Sequence, residues 1–237
     1  HSLFYTARTS VTAPHRVFRA TRSDRDAPFA GGEQLASWPG LDPIDRPWGV
    51  GDELFFNFDH GDGNFELASS RFDGATWSTP ESLGPDLNST KANSDPTLTA
   101  DGRYIFFSRA EATGTTNMRL YQAKRSDGVF GDVREVAMSV LRPEDVVLCA
   151  TVSPDGLHLF FATSYPHDLS SLPPNALTVW LAERRHVDHD WSEPIHLSAL
   201  DATAEQSCPS AVSGDGCELW VQRFVINGPT TYVVARR

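Results

Sequence analysis

A chain of 237 residues with 40% hydrophobic and 11% aromatic content holds enough apolar material for a packed core and too much for a disordered protein. Asp and Glu outnumber Lys and Arg by 31 to 20, a net charge of -11 that repels phosphate backbones and excludes nucleic acid as an expected partner. No apolar run reaches the roughly eighteen residues a membrane-spanning helix needs, and no charged-then-apolar leader opens the sequence, so an export signal is expected to be already removed or never present.

In chain order, one pattern recurs. The first copy opens on Leu3-Phe4-Tyr5, continues to Ala20 and Arg22, and ends on an outer segment at 29–35. The second has the turn Gly51-Asp52, then Leu54-Phe55-Phe56, Ser69 with Arg71, and Trp77-Ser78-Thr79-Pro80 leading to Leu83. The third begins with an inner strand at 95–99, turns at Ala100-Asp101-Gly102, and proceeds through Ile105-Phe106-Phe107, Ala123 with Arg125, and 130–136. The fourth repeats this at 149–153, Pro154-Asp155-Gly156, Leu159-Phe160-Phe161, Ala182 with Arg184, and Trp191-Ser192-Glu193-Pro194. The fifth has 209–213, Gly214-Asp215-Gly216, Leu219-Trp220-Val221, and Ala235 with Arg237.

Successive aromatic runs start 51, 51, 54 and 60 residues apart, and a fixed period of that size signals a repeat architecture before any local propensity is weighed. Aromatic and β-branched runs are strand chemistry, and Asp-Gly supplies the positive φ of a tight hairpin turn. Proline suits an outer edge strand, where a missing N–H costs little. Four antiparallel strands repeated about every fifty residues describe propeller blades.

This order of inner strand, Asp-Gly turn, aromatic strand, Arg-ended strand and Trp-Ser-x-Pro outer strand resembles the TolB-like (PD40-type) repeat. The resemblance implies an all-β fold: one five-bladed β-propeller domain over residues 1–237, with four-stranded antiparallel blades, in an exported bacterial protein that is secreted, periplasmic or surface-anchored. Peptidases carrying this propeller need a separate hydrolase domain, which the sequence lacks. The first copy has no inner strand and the last no outer one, and both are expected to be supplied by residues preceding His1. The segment from Ser70 to Trp77 echoes a sialidase Asp-box with its spacing one residue too long, and reads as a turn.

Long connections lie at the end opposite the Asp-Gly turns, and the longest, at 164–176, is placed to cover a channel mouth. Asp45, Arg46, Asp95, Glu144, Asp145 and Glu205 enter the inner strands from that face, and Arg109 and Arg223 leave the aromatic strands there. Together they could line a polar, ligand-binding mouth, with Trp48 or Trp38 as a stacking platform for a sugar or peptide. The structural alternatives are that Asp95, before Pro96, bonds backbone donors in a turn and that Arg109 and Arg223 pair with carboxylates of neighbouring blades. The repeat arginines, present in every copy, read as structural.

Asp59, Asp62 and Asn64 alternate oxygen ligands that calcium could use, but the loop lacks EF-hand spacing and a terminal Glu, so a polar turn without a cofactor is the simpler expectation. Of three cysteines, Cys208 and Cys217 sit out of register on one hairpin, which favours Cys149 bridging to one of them between blades over that pair; free thiols are the alternative. No G-x-S-x-G, H-E-x-x-H, P-loop or dinucleotide fingerprint occurs. The leading expectation is a monomeric, non-catalytic module binding a protein, peptide or glycan at the long-loop face. The competing one is a glycoside hydrolase drawing two carboxylates from Asp45, Asp95, Glu144, Asp145 and Glu205.

Overall fold

The computed structural model describes residues 2–8, 13–36, 38, 40–41, 43–59, 61, 63–89, 91–112, 117–142, 144–164, 176–201, 206–224 and 230–236. Five antiparallel sheets follow one another along the chain. Blade 1 holds β1 (Ser2–Ala7), β2 (Arg16–Thr21) and β3 (Glu33–Ala36), and blade 2 holds β4 (Ile44–Val50), β5 (Glu53–Asp59), β6 (Phe65–Arg71) and β7 (Glu81–Ser82). Blade 3 holds β8 (Asn93–Leu98), β9 (Tyr104–Ala110), β10 (Met118–Ser126) and β11 (Val129–Glu135). Blade 4 holds β12 (Val147–Val152), β13 (His158–Thr163), β14 (Thr178–Glu183) and β15 (Ile195–His196), and blade 5 holds β16 (Gln206–Val212), β17 (Glu218–Phe224) and β18 (Thr230–Arg236). The only helix among the described residues is a short 3₁₀ turn at Ser198–Leu200. This is the five-bladed propeller the repeat predicts, with three strands rather than four in its first and last blades.

Outer strands are shorter than the repeat suggests where proline intervenes. Pro80 and Pro194 stand immediately before β7 and β15, each two residues long, whereas β11, with no proline, runs for seven. A residue without an N–H cannot extend the ladder, so pairing starts only after it.

The aromatic runs form the core where both neighbouring strands are present. Leu54, Phe55, Phe56, Ile105, Phe106 and Phe107 are all 0% exposed. Their counterparts Leu3, Phe4 and Tyr5 in blade 1 are only half-buried, β1 having no inner strand beside it among the described residues. Trp38, a candidate platform, stacks on Phe56 at 5.2 Å and donates its indole N–H to the Ser78 carbonyl, so it belongs to the core.

The repeat arginines clamp blade to blade. In blades 2 and 3 the residue just before the first apolar residue of the aromatic run meets the arginine of the following blade: Arg125 forks onto Glu53 at 2.5 and 2.7 Å, and the Arg184 guanidinium lies 5.6 Å from the Tyr104 ring centre. Where blade 1 offers only Ser2 at that position, Arg71 bonds Glu53 of its own blade at 2.8 Å. Blade 1 then closes on blade 5 by the same contact, Arg22 donating to Glu218 at 2.5 Å, with Phe29 edge-on to Trp220 at 5.8 Å. The ring is therefore held shut by a repeat contact, without a β-strand crossing the seam among the described residues.

Candidate functional site

Each inner strand of blades 2 to 4 carries a bulge at one repeat position, where pairing skips between Asp45 and Trp48, Ser94 and Thr97, and Leu148 and Thr151. The first bulge residue is in the left-handed region each time: Arg46 at φ 52°, Asp95 at 56° and Cys149 at 57°. Non-glycine residues adopt that conformation at a cost of about 1 kcal/mol or more, and they do so where the surrounding structure requires it. Here the strain re-aims three side chains toward the neighbouring blade.

The result is a bracelet around the central channel, a cavity of about 1180 Å³. Thr6 of blade 1 donates its hydroxyl to Asp45 Oδ1 at 3.4 Å, and Asp45 accepts the Arg46 N–H at 2.8 Å. Arg46 Nε pairs with Asp95 Oδ1 at 3.3 Å, and its Nη2 points at Cys149 Sγ at 3.4 Å. Asp95 Oδ2 accepts the Cys149 N–H at 3.1 Å, and Cys149 is disulfide-bonded to Cys208 of blade 5 with Cα atoms 5.6 Å apart. All five blades thus contribute one link. Cys217 is the free thiol.

The Arg46 side chain is 23% exposed and that of Asp95 13%, so the ion pair keeps an edge toward the channel. Tyr232 also lines this space; the residue is exposed, yet burial pushes its pKa up, with Arg46 opposing that shift and Asp45 adding to it. The Arg46 guanidinium, paired with Asp95 and sharing the channel wall with Tyr232, offers hydrogen-bond donors to a carboxylate or carbonyl entering the channel.

Of the residues singled out from sequence, the structure brings Asp45, Arg46, Trp48 and Asp95 together on the channel wall. Asp95 lines the channel and accepts a backbone N–H, but from Cys149 of the next blade and at a bulge within β8 rather than in a turn. Arg109 and Arg223 serve the fold in a way not foreseen: they reach backbone carbonyls rather than neighbouring carboxylates. Arg109 donates to the carbonyls of Asp86 and Leu87 at 2.9 Å and stacks over Tyr121, while Arg223 donates to the Leu200 carbonyl at 3.0 Å. Both pin the connections that carry the chain into blades 3 and 5. Asp145 is buried and accepts the Arg142 N–H at 2.6 Å, closing a turn, and Glu144 beside it is exposed. Glu205 and the 165–175 stretch of the longest connection lie outside the described residues.

At the calcium candidate, Asp59 Oδ1 accepts the N–H groups of Gly61 and Gly63 at 2.8 and 3.0 Å, the bonding of a polar turn; Asn64 follows half-buried, and Asp62 lies outside the described residues. No group of three or more His, Cys, Asp or Glu arranged to hold a metal occurs among the described residues. Sequence reasoning missed Thr6, Tyr232 and the channel role of Cys149. The signal was available in part: Arg46-Pro47, Asp95-Pro96 and Cys149-Ala150 occupy one repeat position.

No family model matches the sequence, and no curated protein matches it. Solved structures do. TolB from Acinetobacter baumannii superposes with a TM-score of 0.59 at 13% identity over 99% of this chain and 50% of that one. A putative TolB from Agrobacterium tumefaciens gives 0.59 at 14% identity over 99% of this chain and 77% of its own. The α-L-arabinofuranosidase PaAbf62A from Podospora anserina, solved with cellotriose, gives 0.56 at 12% identity over 99% and 85%. The chain spans half the length of the Acinetobacter protein. At these identities the likeness is one of fold: a TolB-like propeller frame shared by proteins of different activities.

Proposed function

We propose that this chain is the non-catalytic binding propeller of an exported bacterial protein, and that it holds a protein, peptide or glycan at the mouth of its central channel around Arg46. The observation that carries this reading is the strained bracelet of Arg46, Asp95 and Cys149, three left-handed non-glycine residues at one repeat position on one wall. The bracelet leaves an edge of the Arg46 guanidinium on the channel wall beside Asp45 and Trp48. The disulfide between Cys149 and Cys208 fits an oxidising compartment such as the periplasm or the extracellular space. Among the described residues, no helix is long and apolar enough to cross a membrane.

The glycoside hydrolase reading needs an acid and a second carboxylate facing one cleft. Asp45 and Asp95 do share the channel, but Asp95 is paired with Arg46 and bonded by the Cys149 N–H, and Asp45 by the Arg46 N–H and the Thr6 hydroxyl. Both carboxylates therefore already serve as links between neighbouring blades.

The test is to probe arrays of peptides and of oligosaccharides with the intact chain and with Arg46→Ala. Loss of a charge-assisted hydrogen bond is expected to weaken the array binders by roughly ten- to a hundredfold. Arg46→Lys, which keeps the charge but not the planar fork, should fall between. Binders retained at full strength by Arg46→Ala would place the site elsewhere, and turnover of an aryl glycoside by the wild-type chain would replace binding with catalysis.

A further inference from the structure

The clamp arginine is not satisfied in the same way at every junction of the ring. Arg125 meets Glu53 and Arg22 meets Glu218, so each of those guanidinium groups closes on a carboxylate of the preceding blade. At the junction of blades 3 and 4 the matching position holds Tyr104, whose hydroxyl donates to Asp188 at 2.8 Å. Arg184 is 6% exposed; its Nε donates to the Gly156 carbonyl at 2.7 Å, while Nη1 and Nη2 are fully buried with no hydrogen-bond partner among the described residues. The indole N–H of Trp191, whose ring centre lies 4.2 Å from the guanidinium carbon, is a third buried donor without a partner there. Both residues belong to blade 4, which has all four strands, and neither lines the central channel.

A buried cation without a counter-charge is costly, and orphaned buried N–H groups call for an acceptor. The surroundings sharpen the need. Burial pushes the Arg184 pKa down; Tyr104 and Asp188 oppose that shift, and the neighbouring Arg134 charge adds to it. Lys124 brings a further positive charge to within 5.7 Å of the Tyr104 ring centre. We infer that a small monovalent anion, of the size and charge of chloride, binds in the fork of Arg184 and does there what the carboxylates of Glu53 and Glu218 do at the other junctions, with the Trp191 N–H as a further donor. The walls favour such an ion. The rings of Tyr104, Phe106 and Trp191 face the guanidinium, and a Cβ at Gly156 would lie 3.4 Å from Arg184 Nη2 and 3.3 Å from Val187, so packing on that side is close. An apolar, tightly packed wall disfavours a polyatomic or divalent anion, which loses more hydration on entry. Trp191 is half-buried and covers the fork, so the ion enters by a shift of its ring.

The test takes the intact 237-residue chain in sodium gluconate and exchanges it stepwise for sodium chloride at constant ionic strength, so that general screening does not change. Tm is expected to rise saturably with chloride, by roughly 3 °C or more at about ten times the dissociation constant. Tyr104→Glu, which supplies the carboxylate found at the other junctions, should remove that dependence. Arg184→Met, which keeps an unbranched stem over Trp191 without the charge, should remove it too, and either variant serves if the other does not fold. Crystals of the wild-type chain grown in sodium bromide give the position: an anomalous peak is expected at hydrogen-bonding distance from Arg184 Nη1 or Nη2, and none at Arg125. A Tm that ignores chloride, or that responds equally in the wild type and in a folded variant, overturns the inference, and a bromide peak in that case marks an adventitious ion only. Absence of bromide from the Arg184 fork overturns it as well.

Discussion

Replacing both Cys149 and Cys208 by alanine lowers the stability of the fold by about 2–4 kcal/mol, a drop in Tm on the order of 10 °C for a domain of this size. The bridge spans 59 residues of sequence, so the cross-link removes considerable freedom from the unfolded chain; the loop-entropy relation puts the upper figure at about 4 kcal/mol. Its place in the ring adds to the effect. Blade 5 has three strands and meets blade 1 through side chains at the seam, so the covalent tie to blade 4 fixes its inner strand. Both cysteines are buried, which makes the double substitution a cleaner experiment than adding a reductant. Thermal melts of the two proteins give the answer, and a Tm shift below about 2 °C would show that blade 5 is held by packing alone.

Glu218→Gln is expected to cost about 1.5–3 kcal/mol, the range for hydrogen bonds to a charged group, because Arg22 is buried while Arg25 and Arg236 are 33% and 54% exposed. The Glu218 side chain is 0% exposed and sits among Arg22 at 2.5 Å, Arg25 at 3.3 Å and Arg236 at 3.2 Å. An amide of the same shape leaves those guanidinium groups facing a neutral group at the seam. Burial alone would raise the Glu218 pKa, but hydrogen bonds from Arg22 and Arg25 outweigh it and hold the carboxyl below the usual Glu value. The Arg125 fork on Glu53, opposed by burial and aided by Arg71, holds that carboxyl down to about 2. Both folded-state pKa values lie below the unfolded value, so both groups stabilise the fold above the ordinary Glu pKa of about 4.3 and lose that contribution as pH falls through the folded values. Acid unfolding should therefore begin below about pH 4.5 and continue toward pH 2, with Glu218→Gln less steeply dependent on pH. Denaturant titrations across that window check both statements. Equal stability of the variant and the wild type at neutral pH would mean that the seam does not depend on this cluster.

The five aromatic runs were legible in the sequence because burial between two neighbours demands the same residue types at every turn of the repeat. The clamp was half legible: Arg22, Arg71, Arg125 and Arg184 recur, but the position they would meet holds Ser2, Glu53, Tyr104 and Glu218, and three chemistries at one place hide the pattern. The channel bracelet was less accessible still. Asp45, Arg46 and Asp95 stood out as polar residues at strand entrances, yet the left-handed backbone that turns Arg46, Asp95 and Cys149 toward the next blade follows from the register of strand pairing within each blade. Arg109 and Arg223 looked like mouth residues because they leave the aromatic strands at the correct end. Which carbonyls they cap depends on how the blade connections fold back, and a single sequence does not carry that information.

Hydrogen–deuterium exchange of the intact chain, with and without the tightest array binder at saturation, tests most directly the claim that the ligand site is the channel around Arg46. Slowed exchange is expected at 2–7, 44–50, 93–98 and 147–152, strands that carry the bracelet, with the Asp-Gly turns at 101–102, 155–156 and 215–216 unchanged. Protection confined to those turns or to the outer strands, with the channel strands unaffected, would contradict it.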